Sequence, residues 1–430
     1  MNRLMNCFRN TFRLTYTAAF IAMMLLWHVA FYMPVATAQS NKASILNSGK
    51  NKNIAQRKVD LQAEAKLLRI YQLIGQGQSR QALLESEQLL KLQPNFQLAQ
   101  LVHGDLLSSF VRPVNMPGDL PKSTALASSA SPEALKELRE ESMLRLKALR
   151  EKPPANSIPS QFLALAERNK HAIAVDTSRS RLYLFENSSN GVKLIADYYI
   201  SVGKLGVEKS LEGDQRTPLG VYYVTGSLRP TSLVDFYGVG ALPINYPNPL
   251  DLKRGKTGSG IWLHGTPSEQ FSRPPKASDG CVVLANPDLN RILTSVRSRT
   301  TPVVIAERLN WVTKTSLDAE KANFNAALMA WRQAKVQSDT AKLMTFYTSD
   351  FSNYGKNLAQ YTALQTTELN KLKGRDIALT NLTLLRWTDK NDTMVATFDE
   401  VIVGRTRGVT KRQYWMLDGK NWKIFFEGII

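Results

Sequence analysis

The stretch HGTPSEQFSRPPKASDGC, residues 264–281, places a histidine and a cysteine in one segment of the chain. Its glycine, proline and serine content predicts a loop rather than a packed helix. The apolar run GIWL, residues 260–263, comes directly before it and predicts a buried strand that ends at His264. A histidine fixed at a strand end can face a loop that folds back, so the spacing predicts that His264 and Cys281 meet.

The first forty residues have the features of a bacterial export signal. Arg3, Arg9 and Arg13 form a basic start, an apolar run covers residues 14–33, and the small-residue site ATA ends at Ala38. This order predicts a signal peptide over residues 1–38. An apolar run of this length is also compatible with an uncleaved membrane anchor. In both cases the rest of the chain is expected in the periplasm or cell envelope.

The compartment determines how the cysteines are interpreted. The chain has two, Cys7 and Cys281, and Cys7 lies within the predicted signal. No disulfide can therefore form within the exported part, although oxidising compartments favour disulfides. A lone thiol there is either a buried, inert apolar group or a reactive one.

The net charge of +19 predicts an anionic partner. Outside the cytoplasm such partners include a carboxylate-rich cell wall and membrane headgroups. A solvated basic surface without a partner is the alternative. Nucleic acid is not expected to bind an exported chain.

The chain is predicted to be a multidomain α+β protein that begins with helices. Residues 55–110 carry apolar residues at helical spacing and resemble one tetratricopeptide repeat. This module could bind a wall-associated partner, form a homodimer, or serve only for packing. Residues 111–169 predict a proline- and serine-rich linker and one exposed helix over 132–151, with Ser131 as its N-cap.

Residues 170–307 predict a mostly β domain. Short runs rich in β-branched and aromatic residues cover 171–176, 181–186 and 193–203, and turn sequences separate them. Little helix is expected before Asn286, which is predicted to cap a helix with Pro287 in its first turn.

Residues 318–430 predict helices followed by an antiparallel sheet. A helix from Asp318 to about Gln337 carries Trp331 on its apolar face, and a shorter helix is predicted over 341–351. Strands follow, and DGK at 418–420 predicts a hairpin turn. The Trp331 helix, the turn at 346–351 and the final hairpin resemble the nuclear-transport-factor-like (SnoaL-like) cone fold. Such cones serve as binding pockets, dimerisation units or enzymes.

His264 and Cys281 are the residue types that cysteine acyl transfer requires. The thiol becomes a nucleophile as a thiolate, and an adjacent histidine can accept its proton. His103 falls in the helical module and His171 opens a strand, so both are interpreted as structural. The scattered histidines and single cysteine do not match a zinc-binding spacing, and no cofactor is expected.

The region resembles the L,D-transpeptidase (YkuD-type) family. Its catalytic motif has a histidine in HG followed by S-x-G-C, as in residues 264–281, and AVDTSRSRLYLFE, SVGK and RTPLGVYYV resemble its other elements. This resemblance implies a β-sandwich-like catalytic domain, a cysteine nucleophile and peptidoglycan stem peptides as substrate.

The resemblance to this family implies that Cys281 is the nucleophile and that His264 is the general base and acid. Gly265, Ser278 and Gly280 are expected to shape the site, and the amides of Gly280 and Cys281 to stabilise an oxyanion.

Two features depart from the family pattern. Asp279 stands where histidine is commoner, and it is expected to orient His264, to contact the substrate's amino group, or to lie exposed on the loop. No basic residue follows Cys281, so Arg273 or Lys276 is expected to bind the substrate carboxylate instead. Residues 205–216 and 227–258 are interpreted as insertions that reshape the acceptor groove.

The family resemblance implies attack on the carbonyl of the third stem residue and release of D-alanine from a thioester acyl-enzyme. An amine would then complete a transpeptidation, and water a carboxypeptidation. The three-part architecture also resembles L,D-carboxypeptidases that affect cell shape. A non-catalytic wall-binding protein is the alternative from another class.

Overall fold

The protein is described by a computed structural model that covers residues 63–114, 118–119, 131–372 and 375–430. The predicted signal peptide, the N-terminal end of the helical module and most of the proline- and serine-rich linker lie outside the described residues. The described chain contains N-terminal helices, a mostly β domain and an α+β domain with a curved sheet, so the predicted fold class is confirmed.

The N-terminal part is a small helical module. Helices α1 (63–75), α2 (Ser79–Leu92), α3 (Gln97–Ser109) and α4 (Pro132–Arg150) form it. Leu67, Phe96 and Leu138 lie in its apolar core. The Ser131 hydroxyl accepts a hydrogen bond from the Ala134 amide at 3.2 Å, which confirms the predicted N-cap of α4.

The central sheet has nine strands in the order β6-β11-β3-β4-β5-β10-β8-β7, with β9 paired to β5. The pairs β11/β3, β10/β8 and β5/β9 are parallel, and the other pairs are antiparallel. The strands are β3 (His171–Asp176), β4 (Arg181–Ser188), β5 (Gly191–Gly203), β6 (Gly220–Tyr223), β7 (Ala241–Pro243), β8 (Trp262–His264), β9 (Lys276–Ser278), β10 (Val282–Leu284) and β11 (Pro302–Ala306). The short helix α5 (Pro249–Lys253) lies between β7 and β8.

This sheet is buried on both faces. Successive residues of a strand point to opposite sides, so each strand contributes side chains to two separate cores. Ile173 and Val175 of β3 pack in a core that includes helix α6 (Asn286–Ser295). Ala172 and Ala174 of the same strand pack in a second core that includes Trp387 of the C-terminal domain. The central sheet therefore shares one apolar face with the C-terminal domain.

The C-terminal domain is a curved sheet covered by helices. Helix α7 (Asp318–Val336) buries Phe324, Leu328 and Trp331 against the sheet, as the helical spacing predicts. The strand order of this sheet is β13-β17-β16-β15-β14, with β2 (Phe162–Ala164) added at the edge beside β14. The remaining elements are α8 (Thr340–Met344), α9 (Leu358–Leu372), β13 (Tyr347–Ser352), β14 (Ile377–Thr388), β15 (Asp392–Ile402), β16 (Val409–Asp418) and β17 (Asn421–Ile429).

The structure differs from the sequence prediction at three places. The helix predicted over 341–351 ends at Met344, and the chain continues as β13, which pairs in parallel with β17. Helix α9 was not predicted. Strands β1 (Ser157–Pro159) and β2 (Phe162–Ala164) were also not predicted, because each obtains its hydrogen-bond partners from distant strands, β12 (Trp311–Thr313) and β14. Short segments of this kind depend on tertiary pairing rather than on their own sequence.

Candidate active site

His264 is the last residue of β8, and only 1% of it is exposed. Its Nδ1 lies 2.7 Å from the Gly265 carbonyl oxygen. A carbonyl can only accept, so Nδ1 carries the hydrogen and Nε2 keeps its lone pair. Burial lowers the pKa of His264 to about 4, and the positive charge of Arg273 acts in the same direction. At neutral pH the ring is therefore uncharged and able to accept a proton at Nε2.

Cys281 is partly exposed and lies directly before β10. Its Sγ accepts a hydrogen bond from the Trp262 amide at 3.4 Å, and its S–H donates to the Gly260 carbonyl at 3.5 Å. Burial raises the pKa of the thiol despite the opposing effect of the Trp262 amide. The resting site thus holds a neutral thiol and a neutral imidazole, rather than a preformed ion pair.

The parallel pairing of β8 and β10 brings these two residues together. Leu263 lies opposite Val282, and His264 opposite Val283. Leu263 and Val282 both point into the same apolar core. His264 follows Leu263 and Cys281 precedes Val282, so by alternation both belong to the other face of the sheet. The Cys281 sulfur is held there by the Trp262 amide hydrogen bond. The structure therefore places both candidate catalytic groups on one side of the β8–β10 pair.

Position 280 has no room for a side chain and has a backbone conformation that favours glycine. Its φ is +123°, and a Cβ there would lie 2.7 Å from the Arg216 carbonyl oxygen. Its amide donates to the Ser278 hydroxyl at 3.1 Å, and that hydroxyl donates to the Cys281 carbonyl at 2.6 Å. The expected oxyanion role of the Gly280 amide is therefore not supported, because this amide already has a partner. Ser278 instead fixes the turn that presents the thiol.

Thr217 is a site residue whose role the sequence did not reveal. Its hydroxyl accepts a hydrogen bond from the Gly203 amide and donates one to the Gly280 carbonyl, both at 2.9 Å. Thr217 is fully buried. The motifs SVGK and TPLG were noted only as resemblances, and their physical role is to hold the loop of Cys281 in place.

Gly265 is enclosed by the side chain of Asn286. The Asn286 amide group accepts from the Val239 amide at 3.1 Å and donates to the Thr266 carbonyl at 2.8 Å. A Cβ on Gly265 would overlap the Asn286 side-chain oxygen. The prediction that Asn286 caps its helix is wrong: Asn286 is the first residue of α6, and its side chain joins the loop after His264 to the 238–239 turn.

Aromatic rings form one wall of the site. The rings of Phe236 and Tyr237 lie 5.9 Å and 5.1 Å from the His264 ring, and the Tyr237 ring lies 4.8 Å from that of Trp262. Both belong to the segment 227–258 that was interpreted as an insertion. Residues 241–246 of this segment lie mostly in the core, so the 3-10 turn Asp235–Tyr237 forms the wall.

The candidate substrate-binding residues lie in different surroundings. Arg273 is 8% exposed, and its guanidinium carbon lies 4.5 Å from the centre of the Phe236 ring. Lys276 is exposed on β9. Asp279 is exposed and accepts hydrogen bonds from Lys204 at 3.3 Å and Gln215 at 3.0 Å. The structure therefore gives Asp279 these partners rather than His264.

Lys209 is a further cation near the site, and the sequence analysis did not single it out. It is 3% exposed and bonds to the Leu211 carbonyl at 2.9 Å and to Asp214 at 2.8 Å. Its charge acts to lower the pKa of the Cys281 thiol, as does that of Arg273. A lysine in a loop of many polar residues gives no sequence signal of burial.

Comparison with known proteins identifies the family of the central domain. Residues 170–305, which include His264 and Cys281, match the L,D-transpeptidase catalytic domain of the YkuD family. The chain contains a YkuD-type L,D-transpeptidase domain. Residues 323–428 match the Cds6 C-terminal NTF2-like domain, so the second resemblance is also confirmed. No curated protein sequence matches the chain.

Two solved structures resemble the chain beyond its YkuD-type domain. Bd1075 of Bdellovibrio bacteriovorus is 26% identical with a TM-score of 0.54, and the match covers 64% of this chain and 98% of Bd1075. The helical cell shape determining protein Pgp2 of Campylobacter jejuni is 23% identical with a TM-score of 0.51, over 63% of this chain and 95% of Pgp2. The likeness to Pgp2 concerns the fold. In the described part of the chain, no helix has the length and apolar character needed to cross a membrane.

Proposed function

We propose that this protein is a cell-wall L,D-transpeptidase that acts on peptidoglycan stem tetrapeptides through a Cys281 thioester. The observation that carries the proposal is the placement of Cys281 and His264 on one face of β8 and β10, with the Nε2 lone pair free to accept a proton. This pair belongs to a domain of the L,D-transpeptidase family. The export signal and basic charge support a periplasmic location beside an anionic wall.

Acylation forms one bond and breaks another. The Cys281 sulfur attacks the carbonyl carbon of the third stem residue while Nε2 of His264 takes the thiol proton. The tetrahedral intermediate then collapses, and the bond from that carbon to the D-alanine nitrogen breaks. His264 returns the proton to this nitrogen, D-alanine leaves, and the third residue remains as a thioester on Cys281.

The neutral resting pair makes proton transfer part of the chemical step. Burial keeps the thiol protonated, so attack requires a base at the moment of reaction, and His264 is the base at hand. The Gly280 amide is bonded to Ser278. We therefore assign the oxyanion to the Cys281 amide, at the turn that Ser278 and Thr217 hold in place.

Deacylation defines the product. In transpeptidation, an amine of a neighbouring stem attacks the thioester, an amide forms, and the thiol regains its proton. In the second candidate function, L,D-carboxypeptidation, water attacks and leaves a tripeptide carboxylate. The combination of a helical module, a YkuD-type domain and an NTF2-like domain favours this second candidate, because it resembles three-part L,D-carboxypeptidases.

Incubation of the purified protein with disaccharide tetrapeptide, followed by separation of the products, tests the proposal. A dimer joined between two third residues indicates transpeptidation, and tripeptide alone indicates carboxypeptidation. The Cys281→Ala variant should give neither. A folded wild-type protein that leaves the tetrapeptide intact but sediments with purified wall would instead be a non-catalytic wall-binding protein.

A further inference from the structure

Arg273 is a buried cation without an anionic partner. Only 8% of the residue is exposed. Among the described residues, no carboxylate lies within ion-pair distance of its guanidinium, and no side chain accepts a hydrogen bond from it. A guanidinium removed from water is costly unless an anion compensates it. Among the other described buried arginines, Arg145 and Arg181 each pair with carboxylates. Arg412 instead stacks on the Tyr223 ring and donates to the Thr397 hydroxyl, far along the chain from the candidate active site.

The guanidinium lies at the reaction centre. It stacks over the Phe236 ring at 4.5 Å, and the same ring lies 5.9 Å from the ring of His264. Phe236 is 44% exposed, so this wall is open to a ligand from solvent. The positive charge of Arg273 also acts on the pKa values of both His264 and Cys281. Asp279, whose charge also reaches Arg273, is already bonded to Lys204 and Gln215.

The loop that carries Arg273 is held on both sides of this residue. The Tyr199 hydroxyl donates to the Arg273 carbonyl at 3.0 Å. The Ser272 hydroxyl donates to Glu141 of helix α4 at 2.9 Å, and the Phe271 ring lies 4.2 Å from that of Phe96 in the helical module. The helical module therefore fixes the position of Arg273 before any ligand arrives, which lowers the cost of binding.

We infer that Arg273 binds the free C-terminal carboxylate of the stem peptide, next to the scissile bond. This inference rests on the proposed function. A guanidinium donates two parallel hydrogen bonds to a carboxylate, and such a pair is both strong and directional. The residue that leaves carries its carboxylate beside the amide bond that Cys281 attacks. Arg273 thus restricts the enzyme to stems that end in a free carboxylate at this position.

The test compares a stem tetrapeptide that ends in a free carboxylate with the same tetrapeptide ending in a primary amide. The wild-type protein should cleave the acid with a kcat/KM at least about tenfold higher than the amide, as expected for a charge-assisted pair. Arg273→Met keeps an unbranched chain over Phe236 but removes the charge, so its kcat/KM for the two peptides should become nearly equal. Arg273→Lys should retain part of the preference.

The control is Arg308→Met, which makes the same substitution at an exposed arginine after β11. It should keep the preference of the wild type, and thermal unfolding should show that both variants fold. Equal cleavage of both peptides by the wild type, or a preference that survives Arg273→Met, would overturn the inference while the proposed function stands. Loss of the preference in Lys276→Met but not in Arg273→Met would also overturn it. Failure of the wild type to cleave either peptide would refute the proposed function itself.

Discussion

The hydroxyl of Thr217 donates a 2.9 Å hydrogen bond to the carbonyl of Gly280, although the two residues are 63 positions apart. The same hydroxyl accepts a hydrogen bond from the Gly203 amide. Through these two bonds, a buried side chain connects the end of β5 to the residue before Cys281. The turn that presents Cys281 is thus fixed by a residue that does not take part in the chemistry.

Thr217→Val should destabilise the protein and slow catalysis. Valine keeps the shape but leaves the Gly203 amide and the Gly280 carbonyl without this partner, at a cost of about 1–3 kcal/mol. Urea unfolding measures the loss of stability, and the rate of D-alanine release measures the loss of activity. The control is Thr406→Val, because Thr406 is exposed; its effect should stay within about 0.5 kcal/mol. Equal stability of the two variants would show that the bridge is unimportant.

Much of the catalytic domain could be predicted from the sequence, because its strands have strong local patterns. The runs at 171–176, 181–186 and 193–203 lie within strands β3, β4 and β5. The end of strand β8 at His264, directly before the loop to Cys281, was also predictable from the apolar run at 260–263.

Other features could not be predicted, because they depend on distant contacts. The Gly280 amide was expected to be free, but Ser278 accepts its hydrogen bond. Asn286 has the sequence signature of a helix cap, yet its side chain joins two loops. The isolation of Arg273 from carboxylates is a property of the packed structure, and a sequence does not show which charges remain unpaired.

The stability of the protein should fall in acid partly because of His264. Its folded pKa of about 4 is below the value of 6.5 for an ordinary histidine, so the unfolded chain binds a proton more readily. The contribution of His264 is unchanged above pH 6.5 and is lost as the pH falls to 4, by about 3 kcal/mol in total. Between pH 6.5 and pH 4, the free energy of unfolding measured with urea should fall less for His264→Gln than for the wild type. Parallel pH profiles for the two proteins would refute the assignment.

The Cys281 thiol should react slowly with iodoacetamide at neutral pH. Burial raises its pKa, so the rate should increase with pH to a midpoint above that of an ordinary cysteine. Peptide mapping after alkylation separates Cys281 from Cys7. A midpoint well below the ordinary value would indicate a thiolate–imidazolium pair in the resting enzyme and contradict the neutral pair.

Glu427 should be a major contributor to the stability of the C-terminal domain. It is buried, and it accepts hydrogen bonds from Tyr347, Tyr361 and Gln413 and pairs with Lys411 at 3.1 Å. The pKa of Glu427 is lowered to about 2 despite burial, because the charges of Lys411 and Lys335 and the hydrogen bonds from Gln413 and Tyr361 favour the ionised form. Glu427→Leu removes one of the two carboxylates that pair with Lys411, the other being Glu400, and leaves three buried donors without their acceptor. It should cost about 3–5 kcal/mol in denaturant unfolding.

The matched control is the double variant Glu427→Leu with Lys411→Met. Removing the second charge should recover part of the loss, because no buried cation then lacks this partner. If the single and double variants were equally destabilised, the ion pair would not be the source of the effect.

The most direct test of the central claim is the mass of the protein after brief mixing with disaccharide tetrapeptide and an acid quench. The proposal predicts an adduct equal to the substrate minus D-alanine, attached through sulfur at Cys281, and absent from Cys281→Ala. Release of D-alanine by folded Cys281→Ala at the wild-type rate would contradict it.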